Sequence, residues 1–167
     1  MTLRAALWFL LVFLVVGCSR ESANSAVDRT AHAIDGDECA ACGMIVREQP
    51  SPRAQAVHRD GERVFFCSIG ESVNYLSSPS PHGALIATYV EVLAPDADPA
   101  LDATERRPWV PADQATYVVG VARPRVMGEA LLAYPTRAQA AAAAARFHGR
   151  VASWTQLTGN EALAPPN

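Results

Sequence analysis

Cys39-Ala40-Ala41-Cys42 is followed at once by Gly43 and Met44, so two thiols and a thioether crowd into one short stretch. Gly43 has no Cβ and lets the backbone turn, which allows the three sulfurs to converge on one point. Thiolate plus thioether is a soft donor set, suited to Cu(I) over zinc, magnesium or calcium. A thioether binds without losing a proton and cannot be consumed by a disulfide, which matters in a compartment kept oxidising. Three other chemistries compete for the pair. Half of a structural zinc site lacks the second close-spaced pair that four N/S ligands require. A redox CxxC usually follows a strand and opens a helix, and Glu38-Cys39 shows no such context. A plain Cys39–Cys42 disulfide closes so small a loop that it staples almost nothing.

Other residues widen the choice. Cys67 precedes Ser68 at an expected helix N-terminus, where the macrodipole favours a thiolate. It stands open as a ligand, as a disulfide partner of a CxxC cysteine, or as a buried strand-end thiol. Met127, the only methionine besides Met44 after Met1, is expected on an inner strand. Core filling is the default there, and the neighbouring Gly128 allows the close approach that a ligand needs. His148 complements a helix dipole. His58, beside a hairpin turn, is expected to be exposed, His32 is a bystander, and Trp109 and Trp154 read as packing residues. No nucleophile elbow, glycine-rich phosphate loop or HExxH motif occurs, and the carboxylates are scattered, so an enzyme is the weaker class.

The elements that must position these sulfurs form two similar runs. Ala54 to Arg59 and Glu62 to Phe66 read as strands around the hairpin signal Asp60-Gly61. Ser68-Ile69-Gly70-Glu71 is a capping box that opens a helix to about Ser77, with Ile69, Val73 and Leu76 on one face. Pro79 and Pro81 end it, and Ala84 to Leu93 is a third strand. A proline-punctuated acidic loop at residues 95–113 follows. The second run has strands at Thr116 to Val121 and Val126 to Tyr134. Its helix runs from the capping box Thr136–Gln139 to about Phe147, and its last strand is Val151 to Leu157. The expected fold class is α+β: two tandem ββαβ units, at residues 38–94 and 114–158, packed as one compact domain. Residues 159–167 are expected to be a disordered tail.

The N-terminus is an address. Arg4 precedes the apolar run Ala5 to Val16, which is short of the roughly 20 residues that span a bilayer and suits a signal-peptide core. Leu14-Val15-Val16-Gly17-Cys18 resembles the bacterial lipobox, with cleavage after residue 17 and lipidation of Cys18. Acyl chains there anchor the protein, at about 0.8 kcal/mol per buried methylene. Ser19 in second place resembles outer-membrane lipoproteins. Residues 18–37 are polar and aperiodic, and read as the lipidated Cys18 and a flexible tether. The formal charge of -3, the absence of a basic cluster and the 50% hydrophobic content exclude both a nucleic-acid-binding domain and a disordered chain.

The lipobox at Cys18, Glu38 to Ile45 (ECAACGMI), Phe66-Cys67-Ser68, Trp109 to Gly120 (WVPADQATYVVG) and Met127-Gly128 together resemble the NosL family of nitrous oxide reductase accessory lipoproteins. Order and spacing agree over about residues 38–158. The resemblance implies a monomeric Cu(I)-binding chaperone of tandem ββαβ units. Such a chaperone supplies copper for the copper centres of periplasmic nitrous oxide reductase during denitrification. It carries over Cys39, Cys42 and Met44 as motif positions and Met127 as their match in the second half, with Cys67 matching as well. The implied partners are nitrous oxide reductase or its assembly factors. The implied location is the bacterial outer membrane, lipid-anchored through Cys18 and facing the periplasm. The alternative is a thiol–disulfide protein, or a scaffold, acting on the copper-site cysteines of a periplasmic metalloenzyme.

Overall fold

Strand β1 (Ala54–His58) is buried along its whole length, which makes it the centre of the first unit. The computed structural model describes residues 26–97 and 107–159. The expected signal peptide, Cys18, Ser19 and the C-terminal residues from 160 onward lie outside the described residues. β1 pairs antiparallel with β2 (Arg63–Phe66) on one side and β3 (Leu85–Glu91) on the other, and β3 pairs with β4 (Trp109–Pro111). The sheet order is β2-β1-β3-β4. β4 falls inside the expected connecting loop at 95–113; Trp109 and Val110 suit an extended edge, and Pro111 at its end gives up no interior ladder bond. Helix α1 (Ile69–Leu76) begins where expected, with the Ser68 Oγ accepting the Glu71 N–H at 3.1 Å. It lays Ile69 and Val73 onto Ala54, Ala56 and Phe66.

The second unit repeats the pattern with β5 (Thr116–Val119), β6 (Leu132–Tyr134), helix α2 (Arg137–Phe147) and β7 (Arg150–Ala152), in the sheet order β6-β5-β7. Val118 faces a small core with Leu132, Tyr134, Ala140, Ala143 and Ala144. The alanines at i, i+3 and i+4 give α2 a smooth stripe that fits close to the sheet. Tyr117 and Val119 point the other way and join the core of the first unit, with Leu131, Ala133, Ala152 and Leu157. The two units therefore share one core.

Three expectations are corrected. The strand expected from Val126 shrinks to β6, because Arg125 (φ 67°) and Gly128 (φ 69°) take left-handed backbone that no strand accommodates. Met127 thus sits in a loop rather than on an inner strand, with 44% of its surface exposed. The strand expected over Val151 to Leu157 stops at Ala152. Ser153 and Gln156 then form a reciprocal capping box that opens helix α3 (Trp154–Thr158). His58 is buried rather than exposed, its Nδ1 2.8 Å from the Gly83 carbonyl and its Nε2 3.0 Å from the Tyr75 hydroxyl.

Two further features fix the chain around the sulfur motif. The described part of the expected tether lies along the first sheet. There His32 exchanges two 2.8 Å hydrogen bonds with the Gln55 amide, and the Tyr89 hydroxyl donates to the Arg29 carbonyl. Arg53 and Glu91 form a buried bidentate pair, both contacts at 2.7 Å, and the Ser51 hydroxyl adds a bond at 2.9 Å. Such a fork-to-fork pair is directional as well as strong. It ties the entry to β1, and through the Arg47 carbonyl the 3-10 turn at Val46–Glu48, to the end of β3.

Candidate metal centre

Residues 38–45 form a tight loop. Glu38 and Ile45 bridge antiparallel; the Cys39 N–H donates to the Met44 carbonyl at 2.8 Å and the Gly43 N–H to the Cys39 carbonyl at 2.8 Å. Gly43 carries φ 75°, the left-handed conformation that the motif's glycine supplies at low cost. The loop is locked beside β2: Cys39 bridges parallel to Phe65, and the Ala40 N–H donates to the Phe65 carbonyl at 2.9 Å. Cys67 follows β2 immediately, so this docking brings it to the loop. The sulfurs of Cys39, Cys42 and Cys67 all lie within 4.8 Å of one another, and those of Cys42 and Cys67 are 3.5 Å apart. A trigonal metal with metal–sulfur bonds of about 2.3 Å spaces its sulfurs by roughly 4 Å. The cluster has that size. Of the three readings open for Cys67, the structure places it inside the sulfur cluster.

The surroundings of Cys39 favour its thiolate form. The neighbouring Cys67 thiol favours the ionised form, and the backbone N–H groups of Cys67 (3.3 Å), Ala41 and Cys42 add to this. Together they outweigh burial and hold its pKa well below the ordinary thiol range. Cys67 moves the other way, raised by the neighbouring Cys39, by burial and by Cys42, whose sulfur is 3.5 Å away. The thiol whose surroundings favour ionisation is therefore Cys39, rather than the Cys67 that a helix N-terminus points to. Glu71, on the first turn of α1, has its carboxyl raised by burial and by the charge on Cys39.

The second unit reaches the site through one loop. The Ser68 hydroxyl, adjacent to Cys67, donates to the Met127 carbonyl at 2.7 Å. The fit is close on both sides: a Cβ on Gly70 would stand 2.3 Å from the Glu129 carbonyl oxygen, and one on Gly128 would stand 2.8 Å from Glu71 Oε1. Glu71 is therefore turned toward this loop, although its backbone completes the cap on Ser68. The Gly70–Gly128 crossing leaves only its paired glycines as a signal in the sequence, and Met127 lies beside it in a loop rather than on a strand. Met44 is half-buried and packs against the core that contains Cys39 and Cys67. Met127 is exposed where its loop meets α1. His148 lies apart as the left-handed C-cap of α2, φ 57°. Trp154 packs on Tyr117, ring centroids 5.7 Å apart. Among the described residues, no helix is long and apolar enough to cross a membrane.

Comparison with known proteins places this geometry among relatives. The family model NosL matches residues 30–162. A protein named copper-binding lipoprotein NosL from Stutzerimonas stutzeri is 30% identical over 155 residues, covering 89% of this chain and 76% of its own. One of the same name from Achromobacter cycloclastes is 29% identical over 176 residues, covering 98% and 86%. The crystal structure of the copper chaperone NosL from Shewanella denitrificans superposes with a TM-score of 0.63 at 25% identity, over 77% of this chain and 95% of that one. The solution structure of apo-NosL from Achromobacter cycloclastes gives 0.50 at 27% identity, over 67% and 90%.

Proposed function

The chain belongs to the NosL family, and from that premise we propose that it binds Cu(I) and delivers it for assembly of the copper centres of nitrous oxide reductase. One observation carries the reading: three cysteine sulfurs within 4.8 Å of one another. The relatives named copper-binding lipoprotein and copper chaperone supply the metal and the class. The donor chemistry supplies the oxidation state, since an all-sulfur set selects Cu(I). In this reading Cys39, Cys42 and Cys67 are the thiolate ligands, with Met44 and Met127 as thioethers at the two rims. Cys18 is the lipidated residue that holds the protein on the outer membrane, facing the periplasm.

The residues divide the work of holding and releasing the ion. Cys39, the thiol whose surroundings favour ionisation, meets the cation first. Cys42, half-exposed, is the sulfur that an incoming ligand of the acceptor approaches. A site that engages two or three of these sulfurs at a time keeps coordination number low, so the acceptor's ligand adds before the donor's ligands leave. Exposed Met127 offers a neutral, weakly held donor for that exchange.

The test is a Cu(I) titration of the fully reduced chain from Ser19 onward against a chromogenic Cu(I) chelator, with zinc as the control. One Cu(I) withdrawn from the chelator, no comparable zinc binding, and transfer to metal-free nitrous oxide reductase are expected. An unchanged chelator spectrum ends the copper reading. Binding without transfer to the reductase ends the assignment of the recipient.

A further inference from the structure

We propose that Cys42 and Cys67 are a redox-active pair, which an organic disulfide oxidises to a Cys42–Cys67 bond that takes two cysteines out of the metal site. The proposal deepens the copper reading and rests on it for its consequence, not for its chemistry. Three observations carry it. The two sulfurs are 3.5 Å apart in the reduced protein, and a disulfide needs about 2.0 Å, so closure asks for a movement of roughly 1.5 Å. Cys42 is half-exposed, while Cys39 and Cys67 keep 3% and 2% of their surface, so only Cys42 meets a reagent from solution. Cys39 is held by its own bonds, its sulfur accepting the Cys67 N–H and its backbone bonded to Met44 and Gly43. A Cys39–Cys42 bond closes a very small loop, whereas Cys42–Cys67 closes a long one and so constrains the unfolded chain more.

The exchange runs in two steps. The Cys42 sulfur gives its proton to solvent and attacks one sulfur of the reagent; the reagent's S–S bond breaks and its other half leaves as a thiolate. The Cys67 sulfur then attacks the Cys42 sulfur. The mixed disulfide breaks, and the second half of the reagent leaves and takes up the Cys67 proton. Two protein thiols are oxidised, and one organic disulfide is reduced to two thiols. Only Cys39 then remains as a thiol, so oxidation and Cu(I) loading exclude each other.

The experiment uses the full chain in detergent carrying Cys18→Ser, reduced and metal-free, treated with glutathione disulfide, alkylated and digested with trypsin. Cleavage after Arg29, Arg47 and Arg63 puts Cys39 and Cys42 on one peptide and Cys67 on another. The expected product is a cross-link between these peptides with one alkylated thiol left. Cys39→Ser retains the cross-link. Cys67→Ser stops at a glutathione adduct on Cys42, and Cys42→Ser reacts at least tenfold more slowly. Cu(I)-loaded protein resists oxidation. A Cys39–Cys42 bond within one peptide, a cross-link in Cys42→Ser at the parental rate, or equally fast oxidation of the loaded protein would each overturn the proposal. Cross-linking is read without metal, so a reduced protein that binds no Cu(I) would end the copper reading and leave the redox result standing.

Discussion

At the scale of single residues, the proposed site separates holding from exchange. Cys39 is buried and fixed by backbone donors; Cys42 is partly exposed beside it; Met44 packs on the core just after the turn. If Cys42 and Met44 are ligands, a Cys42→Ser, Met44→Leu double variant keeps its fold, because leucine conserves the packing volume of methionine and Cys42 is not a deep core residue. Loss of an outer-shell partner alone typically lowers metal affinity about 10–100-fold, so removal of two ligands should lower it by more than about 100-fold. The circular dichroism spectrum should be unchanged, and the variant should no longer withdraw Cu(I) from the chelator. Retention of tight, one-to-one binding would reassign the site. The pair Cys39 and Cys42 with Met44 was legible because the motif is local. The membership of Cys67 was not, since it depends on the loop at 38–45 docking beside β2 through the Phe65 carbonyl. The thiol favoured as thiolate was hidden as well: a helix N-terminus points to Cys67, whereas the loop's docking brings the Cys67 N–H onto the Cys39 sulfur.

At the scale of elements, the decisive contact is between the start of α1 and the loop at 125–130. Two effects oppose each other at Gly70. In an exposed helix, Gly→Ala stabilises by about 1 kcal/mol. Here the added Cβ would stand 2.3 Å from the Glu129 carbonyl oxygen, a backbone atom that yields only if the loop moves. Overpacking of this kind costs about 1–3 kcal/mol, so it wins. Gly70→Ala should lower the urea midpoint and also loosen Cu(I), because the displaced loop carries Met127. A stabilised variant with unchanged copper affinity would show that the crossing does not position the site. Caps were the most readable feature of the chain: Ser68 and Thr136 cap helix starts as their patterns indicate, without the return bond from Glu71 or Gln139 that a full capping box has. The Ser153–Gln156 box was equally present in the sequence, but Val151 and Trp154 gave the segment a strand-like composition, and α3 was read as strand. Before β6 the error came from backbone: left-handed Arg125 and Gly128 break the strand, and nothing in the side-chain pattern announces that.

At the scale of the whole molecule, the doubled ββαβ pattern was visible, but the dependence of one unit on the other was not. Along β5, alternate residues serve two cores: Val118 packs under α2, while Tyr117 and Val119 close the core over β1 and α1. Alternation in sequence shows that both faces are apolar; it does not say which unit each face completes. The shared core predicts one cooperative unfolding transition for the reduced chain, with circular dichroism and tryptophan fluorescence coinciding. Leu157 is 1% exposed, sits on α3 at the far end of the second unit, and belongs to the core that contains Cys39 and Cys67. Leu157→Ala should therefore lower stability by about 2–5 kcal/mol, and should do so everywhere. Amide exchange in β1, which lies in the other unit, should accelerate by the same free energy as exchange in β5. Two separate transitions, or slow exchange preserved in β1, would mean that the sulfur site stands on the first unit alone. Uniform acceleration would mean that its geometry is a property of the whole fold, with Tyr117, Val119 and Leu157 of the second unit completing the core that contains Cys39 and Cys67.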